Sequence, residues 1–457
     1  MAPRSAAPAS RHRDGTRDPS PPAADRRRAW LVTALIVAFM VVNYADKSVL
    51  GLAAVPIMGE LHLSNSTYGL LASSFYFLFS LSGLVVGFFS GRVSTRVLLC
   101  GMTLVWAVAQ VPVLVVASVP TLLAGRILLG AAEGPAASMS MHALYKWFPP
   151  ARRGLPSALQ IGGAALGTLI AAPVVTWLIT GFGWRSAYAA LAVTSAMWAA
   201  LWWRVGHDGP HDVTRAGREG TGTTAAPDGR DGAATATAPD GRLPYRRLLS
   251  TGTVLGSIAA AFGAQWALSL SHAWLPAYLR TQLGLSAGAA ASAISGLSAV
   301  SLVLLLTVPS LMDVLRRRGV SSRWSSGAGQ AAAVCLAGGA MAAFPFVDGT
   351  VARLALMTVA FGGASVAIPL HYMTTAEVAP PAQRGALFGI VAATGTLPGL
   401  LAPFLTGRLI DAADHPSGGY TTAFLLSSAV MLVTGCCALL AIRPERDAAR
   451  LGLARQD

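Results

Sequence analysis

Residues 29–58 have the sequence AWLVTALIVAFMVVNYADKSVLGLAAVPIM, an apolar run with Asn43-Tyr44-Ala45-Asp46-Lys47 near its centre. An α-helix needs about 20 apolar residues to cross about 30 Å of hydrocarbon, so this run predicts a membrane-spanning helix. An ionised side chain inside such a helix is costly and normally faces protein or a water-filled path. Lys47 is also one of only two lysines, the other being Lys146. We therefore expect the charges of this helix to serve function.

The composition predicts a protein that crosses the bilayer many times. Hydrophobic residues make up 54% of the 457 residues and charged residues only 12%, which is more apolar than a typical soluble domain. The net charge of +14 would favour a nucleic-acid partner in a soluble protein. Here arginines in predicted loops account for that charge, so we expect the bilayer and no nucleic acid as partner.

The cysteines lack the spacing of a metal or redox site. All four lie in or beside apolar runs, where a free cysteine behaves as a small hydrophobic residue. We expect them to be core residues, and we expect no metal. They are Cys100, Cys335, Cys436 and Cys437.

Apolar runs of membrane-spanning length occur twelve times, in two sets of six. Residues 1–28 precede them, lack the apolar region of a signal peptide, and predict a disordered cytoplasmic tail. The first set lies at roughly 29–57, 66–90, 97–118, 121–145, 155–180 and 187–205. The second set lies at roughly 251–279, 287–312, 325–346, 351–375, 386–408 and 420–442. This pattern predicts an all-α integral membrane protein with twelve transmembrane helices.

The segment 206–247 separates the two sets. It is rich in Gly, Ala, Thr, Asp and Pro, which predicts a flexible linker. The predicted parts are therefore a six-helix bundle at 29–205, this linker, a second six-helix bundle at 248–442 and a tail at 443–457. Two similar halves are typical of a transporter whose binding site lies between them.

The basic residues predict the orientation in the membrane, because loops rich in Lys and Arg stay in the cytoplasm. With the N-terminus inside, nearly all arginines fall in cytoplasmic segments. The opposite loops and helix ends hold Arg185, Arg280, Arg353 and Arg408. Both termini and the linker are therefore expected in the cytoplasm. The arginine-rich, lysine-poor composition also suggests a GC-rich bacterial genome, and so a bacterial cytoplasmic membrane.

Several motifs together resemble those of a major facilitator superfamily transporter, and within it the anion:cation symporter family of organic-anion permeases. The resemblance covers nearly all of residues 29–442. In the first half its motifs are Asn43-Tyr44-x-Asp46-Lys47, Arg126-x-Leu128-Leu129-Gly130-x-x-Glu133-x-Pro135, Trp147-Phe148-Pro149, Arg153-Gly154 and Gly183-Trp184-Arg185. In the second half they are Trp274-Leu275-Pro276-x-Tyr278-Leu279 and the spaced glycines Gly385, Gly389, Gly395 and Gly399, followed by Pro403.

The chain also departs from this family. The loop after the second helix has Gly91 where the superfamily has Asp, although Arg92 remains, and the matching loop after the eighth helix keeps Asp313. The resemblance implies that these groups latch the cytoplasmic gate by charge-assisted hydrogen bonds. Other departures replace polar residues of the family, which implies a substrate less polar than a sugar acid. These are Phe79, Gly83, Ala392 and Thr396.

Helix spacing predicts how the charged residues are arranged. Tyr44 and Lys47 share a helix face, whereas Asp46 points about 100° away from Lys47. Glu133 falls near the middle of the fourth span, and Arg126 lies two turns earlier on nearly the same face. We expect Lys47 to bind a substrate carboxylate with Tyr44 as a further substrate contact, and Asp46 or Glu133 to carry the coupled proton. The alternative is a permanent Lys47–Glu133 ion pair that only ties two helices together.

Other polar residues in the spans are further candidates. Gln265 and Trp266 could face Lys47 across the cavity, and Tyr76 and Gln160 are candidate substrate contacts in the first half. Arg126 is assigned a gating or structural role, together with Arg92 and Asp313. Interfacial anchoring or a backbone hydrogen bond is expected for three residues nearer helix ends. These are His272, His371 and Tyr372.

The predicted function is proton-coupled symport of a small organic anion, by a carrier that acts as a monomer and needs no cofactor beyond the proton gradient. Sodium is the alternative driving ion. The alternative function is export of a drug-like or natural-product molecule by proton antiport. Antiporters of that kind usually carry Gly-Pro-x-x-Gly-Gly on the fifth helix, whereas residues 163–168 here read GAALGT. An enzyme is not expected, because no catalytic constellation is present.

Overall fold

The computed structural model describes residues 23–89, 93–149, 152–207, 209, 243–380 and 383–453. Within these ranges every regular element is a helix and no strand is present. Most of the predicted tails and linker, at residues 1–22, 210–242 and 454–457, lie outside the described residues. So do Gly91 and Arg92.

The described residues of the first half form eight α-helical segments. They are α1 (Ala23–Leu52), α2 (Ala54–Glu60), α3 (Asn65–Phe89), α4 (Thr95–Val115), α5 (Val119–Glu133), α6 (Ala136–Tyr145), α7 (Gly154–Phe182) and α8 (Trp184–Val205).

In the part of the second half that the structure describes there are eleven α-helical segments, with short π- and 3₁₀-helical turns at Arg323–Gly327, Phe344–Phe346, Thr358–Gly362 and Gly363–Val366. The first six are α9 (Tyr245–Leu249), α10 (Gly252–Ala273), α11 (Leu275–Thr281), α12 (Ala287–Arg317), α13 (Ala328–Ala343) and α14 (Thr350–Met357). The other five are α15 (Ala367–Glu377), α16 (Arg384–Gly395), α17 (Pro398–Asp411), α18 (Pro416–Ala441) and α19 (Pro444–Arg450).

Ten helical segments in the described ranges are long and apolar enough to cross a membrane. The prediction of an all-α membrane protein is therefore confirmed. Two predicted spans are not among the ten. Residues 121–145 form two helices, α5 and α6, because Pro135 lacks the N–H that a continuous helix would use there. Residues 187–205 lie in α8, whose tryptophans and arginines lower its mean hydropathy.

The predicted boundaries of the tails differ from the structure. Helix α1 already begins at Ala23, inside the predicted N-terminal tail, and α19 lies inside the predicted C-terminal tail. Helix α19 is held by Asp447, which is 1% exposed. Its Oδ2 accepts hydrogen bonds of 2.8 Å from the backbone N–H and the hydroxyl of Thr253. A carboxylate at the N-terminus of α10 satisfies free backbone donors, so the charged segment docks.

The prediction that all four cysteines are core residues is wrong for two of them. Cys100 is buried and Cys335 is half-buried, whereas Cys436 and Cys437 are exposed on α18. An apolar run cannot distinguish the inward face of a membrane helix from its outward face, because both faces are apolar in a bilayer.

An aromatic cluster positions α1 in the first half. The ring of Phe39 lies 4.7 Å from Trp106 on α4 and 5.0 Å from Trp198 on α8, measured between centroids. The indole N–H of Trp198 donates to the carbonyl of Leu35 at 2.9 Å, so this buried donor is paired. Gly167 of α7 packs on α1, since a Cβ there would lie 2.8 Å from the Cβ of Tyr44. These contacts fix the helix that carries Asp46 and Lys47.

The Gly183-Trp184-Arg185 motif holds α2 to the start of α8. Glu60 accepts hydrogen bonds from both Nη atoms of Arg185, at 3.0 and 2.6 Å, and from the indole N–H of Trp184 at 2.6 Å. These hydrogen bonds lower the pKa of the Glu60 carboxyl. Because the folded-state pKa is depressed, the pair stabilises the protein above the usual carboxyl pKa, and this stabilisation is lost on acidification through the folded-state pKa.

The helix pairs that meet between the two halves include α1 with α10, α3 with α17, and α7 with α12. Gly51 allows the first approach, because a Cβ there would lie 1.8 Å from the carbonyl oxygen of His272. At the third seam, the hydroxyl of Ser295 donates to the carbonyl of Leu169 at 2.9 Å. Small side chains and hydroxyl groups thus allow close contact between helices of different halves.

One end of the interface is closed by polar and aromatic contacts. Asp411, at the end of α17, accepts hydrogen bonds from the backbone N–H groups of Asn65 and Ser66 at 3.0 and 2.7 Å, and so caps α3 of the other half. The hydroxyl of Tyr68 donates to the carbonyl of Ala273 at 2.8 Å. Its ring meets Trp274 edge-on at 5.0 Å. These contacts must break whenever the halves separate at this end.

Candidate substrate-binding site

A small cavity lies at the interface, between α1, α3 and α5 of the first half and α10 and α17 of the second. Its volume is about 10 Å³, enough for roughly one water molecule. Binding of an organic acid therefore requires side chains or whole helices to move apart. The polar and charged residues that line it are Lys47, Tyr76, Arg126, Ser269 and His272.

Lys47 is the cation of α1 that reaches this cavity. Its Nζ donates to Oδ1 of Asn43 at 2.8 Å and lies 3.4 Å from a carboxylate oxygen of Glu133. The same ammonium lies 4.4 Å from the ring centroid of Tyr44 and 5.3 Å from that of Phe79. The side chain of Lys47 is 15% exposed, whereas that of Glu133 is fully buried. The ammonium is thus accessible from the cavity and its partner is not.

Asp46 faces away from Lys47, as the helix spacing predicts. It is fully buried, and its Oδ1 accepts a hydrogen bond from Nε2 of Gln110 on α4 at 3.0 Å. Its Oδ2 has no hydrogen-bond partner among the described residues. Gln110 is a site residue that the sequence analysis missed, although an amide in the middle of the third predicted span was a usable signal.

Arg126 links α5 to α1 and α3, the other two helices of this half that line the cavity. Its Nη1 donates to the backbone carbonyl of Asp46 at 3.5 Å, and its guanidinium lies 4.7 Å from the ring centroid of Phe75. Arg126 lines the same cavity as Lys47. The cavity wall therefore has two positive groups. Neither carboxylate oxygen of Glu133 accepts a hydrogen bond from the described residues. An anion that replaced Glu133 as the partner of Lys47 would leave Glu133 as a buried, poorly compensated charge.

A model of the family described as Major Facilitator Superfamily matches residues 35–403, most of the chain. The chain belongs to the Major Facilitator Superfamily. It is therefore a transporter and not an enzyme, as predicted. The membership also confirms the predicted superfamily and fold.

Known proteins similar to this facilitator agree with the predicted subfamily. A hexuronate transporter of Bacillus subtilis is 24% identical over 412 residues, which cover 88% of this chain and 92% of the relative. A probable sulfoacetate transporter of Cupriavidus necator is 26% identical over 429 residues, covering 91% and 94%. Among solved structures, a bacterial homologue of the human lysosomal transporter Spinster, inward-facing and occupied, has a TM-score of 0.72 at 16% identity, covering 92% and 98%. That likeness concerns the fold alone.

The other predicted substrate contacts fall into two groups in this facilitator. Tyr76 lines the cavity, and its hydroxyl accepts a hydrogen bond of 3.5 Å from Nε2 of Gln265 in the other half. Gln160 donates instead to the hydroxyl of Ser140 at 2.9 Å, inside the first half. Trp266 donates to the hydroxyl of Ser427 at 3.0 Å, inside the second half. The structure thus brings Tyr76 and Gln265 together and leaves Gln160 and Trp266 away from the cavity wall.

His272 is the cavity residue whose position was least expected. Its Nδ1 does make the anticipated backbone hydrogen bond, 2.8 Å from the carbonyl oxygen of Leu268. However, the ring lines the same cavity as Lys47 and lies 6.2 Å from the ring of Tyr44. The predicted span 251–279 is divided at Trp274 into α10 and α11. His272 therefore sits at the end of α10 beside α1, a position that the continuous apolar run did not indicate.

The predicted gating residues are arranged differently. Arg92 lies outside the described residues, and Asp313 is exposed on α12. The ion pair at this end of α12 instead joins Arg316 to Glu377 of α15, at 2.8 Å. Glu377 was not singled out from the sequence, because nothing in the sequence shows that the ends of α12 and α15 meet.

Proposed function

We propose that this transporter carries a small organic anion together with protons, and that Lys47 binds the anion's carboxylate. The observation that carries the proposal is the accessible ammonium of Lys47 in the cavity wall, 3.4 Å from the fully buried carboxylate of Glu133. Arg126 adds a second positive charge to the same wall. The names of two relatives, a hexuronate and a sulfoacetate transporter, support an anionic substrate.

The alternative in which Lys47 and Glu133 form a permanent tie fits the geometry less well. A tie between helices would be best served by full burial and several hydrogen bonds, since desolvation otherwise offsets the Coulombic gain. Here the ammonium borders the cavity, and neither oxygen of Glu133 accepts a hydrogen bond from the described residues. The pair is arranged so that a bound carboxylate can replace Glu133 as the partner of Lys47.

Coupling to protons follows from charge balance. When an anion binds Lys47, the carboxylate of Glu133 loses its nearest cation inside a buried site. Uptake of a proton by Glu133 removes this excess negative charge, so substrate and proton favour each other's binding to the same extent. Asp46 lies one residue before Lys47 and is the second buried carboxyl that could take the proton. The loaded carrier then reorients without an unpaired charge.

Uptake by vesicles tests the proposal. Purified transporter in lipid vesicles should accumulate labelled acids from a panel of small carboxylates and sulfonates when the inside is made alkaline. Accumulation should disappear when a protonophore collapses the gradient, and protein-free vesicles are the control. Accumulation driven by a sodium gradient alone would show that sodium, and not the proton, is the driving ion. Transport restricted to cationic or neutral drug-like molecules would favour the antiport exporter.

We further propose that the transporter lies in a bacterial cytoplasmic membrane with both termini and the linker in the cytoplasm. The support is the concentration of arginines in one set of loops. In a variant without native cysteines, Ser321→Cys should react with a membrane-impermeant thiol reagent only after the inner side is exposed. Ser417→Cys, an equally conservative change at an exposed position in the first turn of α18, on the opposite side, should react in intact cells. The reverse pattern would overturn the orientation.

A further inference from the structure

His272 brings a group of the second half to the cation of the first half. Its ring lies 6.2 Å from Tyr44, whose own ring lies 4.4 Å from Nζ of Lys47. The approach is possible because Gly51 has no Cβ to meet the carbonyl oxygen of His272. His272, Lys47 and Arg126 all line one cavity, so a molecule bound by the cations also meets the imidazole.

The backbone determines which nitrogen of His272 carries the proton. Nδ1 lies 2.8 Å from the carbonyl oxygen of Leu268, which can only accept a hydrogen bond. Nδ1 must therefore be the donor, and in the neutral ring Nε2 then has a free lone pair. Histidine is ordinarily neutral at physiological pH, because its unperturbed pKa is about 6.5. The cavity is thus offered a hydrogen-bond acceptor on a fixed ring.

The cations of the wall do not duplicate this acceptor. Lys47 and Arg126 are donors without lone pairs. The hydroxyl of Ser269 donates its proton to the carbonyl of Trp266 at 2.9 Å, which leaves the Ser269 oxygen as a second acceptor. The hydroxyl of Tyr76 accepts from Gln265 and keeps a proton to donate. A carboxylate matches the cations, but it has no hydrogen to give to Nε2 of His272. A hydroxyl group on the same molecule does.

We propose that His272 makes this carrier selective for hydroxy acids, by accepting a hydrogen bond at Nε2 from a substrate hydroxyl while the carboxylate is held by Lys47. This inference rests on the proposed function and names the substrate class more narrowly. An acid without the hydroxyl leaves Nε2 desolvated and unpaired in the closed site. Such an unpaired polar group weakens binding by about ten-fold or more.

Matched pairs of acids test the proposal. Calorimetric titration of the purified transporter would compare lactate with propionate, 2-hydroxybutyrate with butyrate, and gluconate with 2-deoxygluconate. The wild type should bind the hydroxylated member of at least one pair about ten-fold more tightly or better. His272→Phe should bind the two members about equally, because it removes both the hydrogen bond to the hydroxyl and the penalty of leaving Nε2 unpaired beside the deoxy acid. His272→Gln should keep part of the preference, because its side-chain carbonyl can accept the same hydrogen bond.

His415→Phe is the matched control, because it makes the same substitution at an exposed histidine that does not line the cavity. It should keep the full preference. If the wild type binds both members of each pair equally, or if His272→Phe weakens both members alike, the inference fails while the organic-anion function stands. If no acid binds the wild type, the proposed function itself fails, and the inference with it. His272→Gln keeps the test usable should the phenylalanine variant not fold.

Discussion

Lys47→Ala should weaken binding of an organic anion by about 100-fold or more, which corresponds to about 3 kcal/mol. The ammonium is the accessible charge of α1 in the cavity wall, and a charge-assisted hydrogen bond in a desolvated site is among the strongest contacts a carboxylate can make. Lys47→Arg should keep a measurable part of the affinity, because the charge survives although the planar guanidinium changes the geometry. Equilibrium binding to purified protein measures both effects.

Two further variants make this result interpretable. Arg185→Ala removes the same charge from an exposed pair with Glu60, so it controls for net charge alone and should leave anion binding unchanged. Lys47→Ala also leaves Glu133 buried without its cation, which could destabilise the fold. The double variant Lys47→Ala with Glu133→Gln removes that penalty. If the folded Lys47→Ala variant or the double variant bound the anion with wild-type affinity, Lys47 and Glu133 would have only the structural role of tying two helices together.

Glu133→Gln should separate substrate movement from proton coupling. Glutamine resembles the protonated acid, so this variant should still exchange labelled for unlabelled substrate across vesicle membranes. It should no longer accumulate substrate when a pH gradient is imposed, because the group that must gain and lose the proton is permanently neutral. The expected loss is the whole gradient-driven component of uptake, with exchange as the internal control.

Asp46→Asn must be compared in the same assay, since two buried carboxyls lie in this half of the site. Asp46 bonds to Gln110 and faces away from Lys47, whereas Glu133 lies 3.4 Å from the ammonium. Glu133 is therefore expected to feel the substrate directly, and Asp46→Asn is expected to alter the pH range of transport more than its coupling. Full pH-driven accumulation in both single variants and in the double variant would contradict proton coupling by this site.

The sequence predicts the parts of this protein that depend on local spacing. Apolar run length indicates the spans, and the helical repeat places Lys47 with Asn43 and away from Asp46. Both are consequences of helix geometry within one segment. Where a helix is interrupted, as at Pro135 or near Trp274, run length alone predicts one span where the structure has two helical pieces.

Contacts between distant segments are harder to predict, because they depend on which helices meet after folding. Gln110, His272 and Glu377 gained their roles from helices that meet only after folding. Gln160 and Trp266 are the converse case. Both lie at plausible depths in their spans, but each side chain makes its hydrogen bond within its own half. A single sequence has apolar residues around the whole of a membrane helix, so it does not show which face meets which neighbour.

Separation of the two halves at the end closed by Tyr68 and Trp274 should change the fluorescence of Trp274, because the edge-on contact between the two rings breaks. The indole N–H of Trp274 is tied to the carbonyl of Pro403 in its own half at 2.9 Å, while Tyr68 belongs to the other half. When that end opens, the indole therefore stays in place beside Tyr420 of its own half, 5.8 Å away, and loses its contact with Tyr68. Water or lipid then takes the place of the Tyr68 ring. Tryptophan fluorescence responds to such a change in surroundings. The carrier thus contains a native fluorophore at the point where its halves part, and Trp266, bonded within one half, is an internal reference.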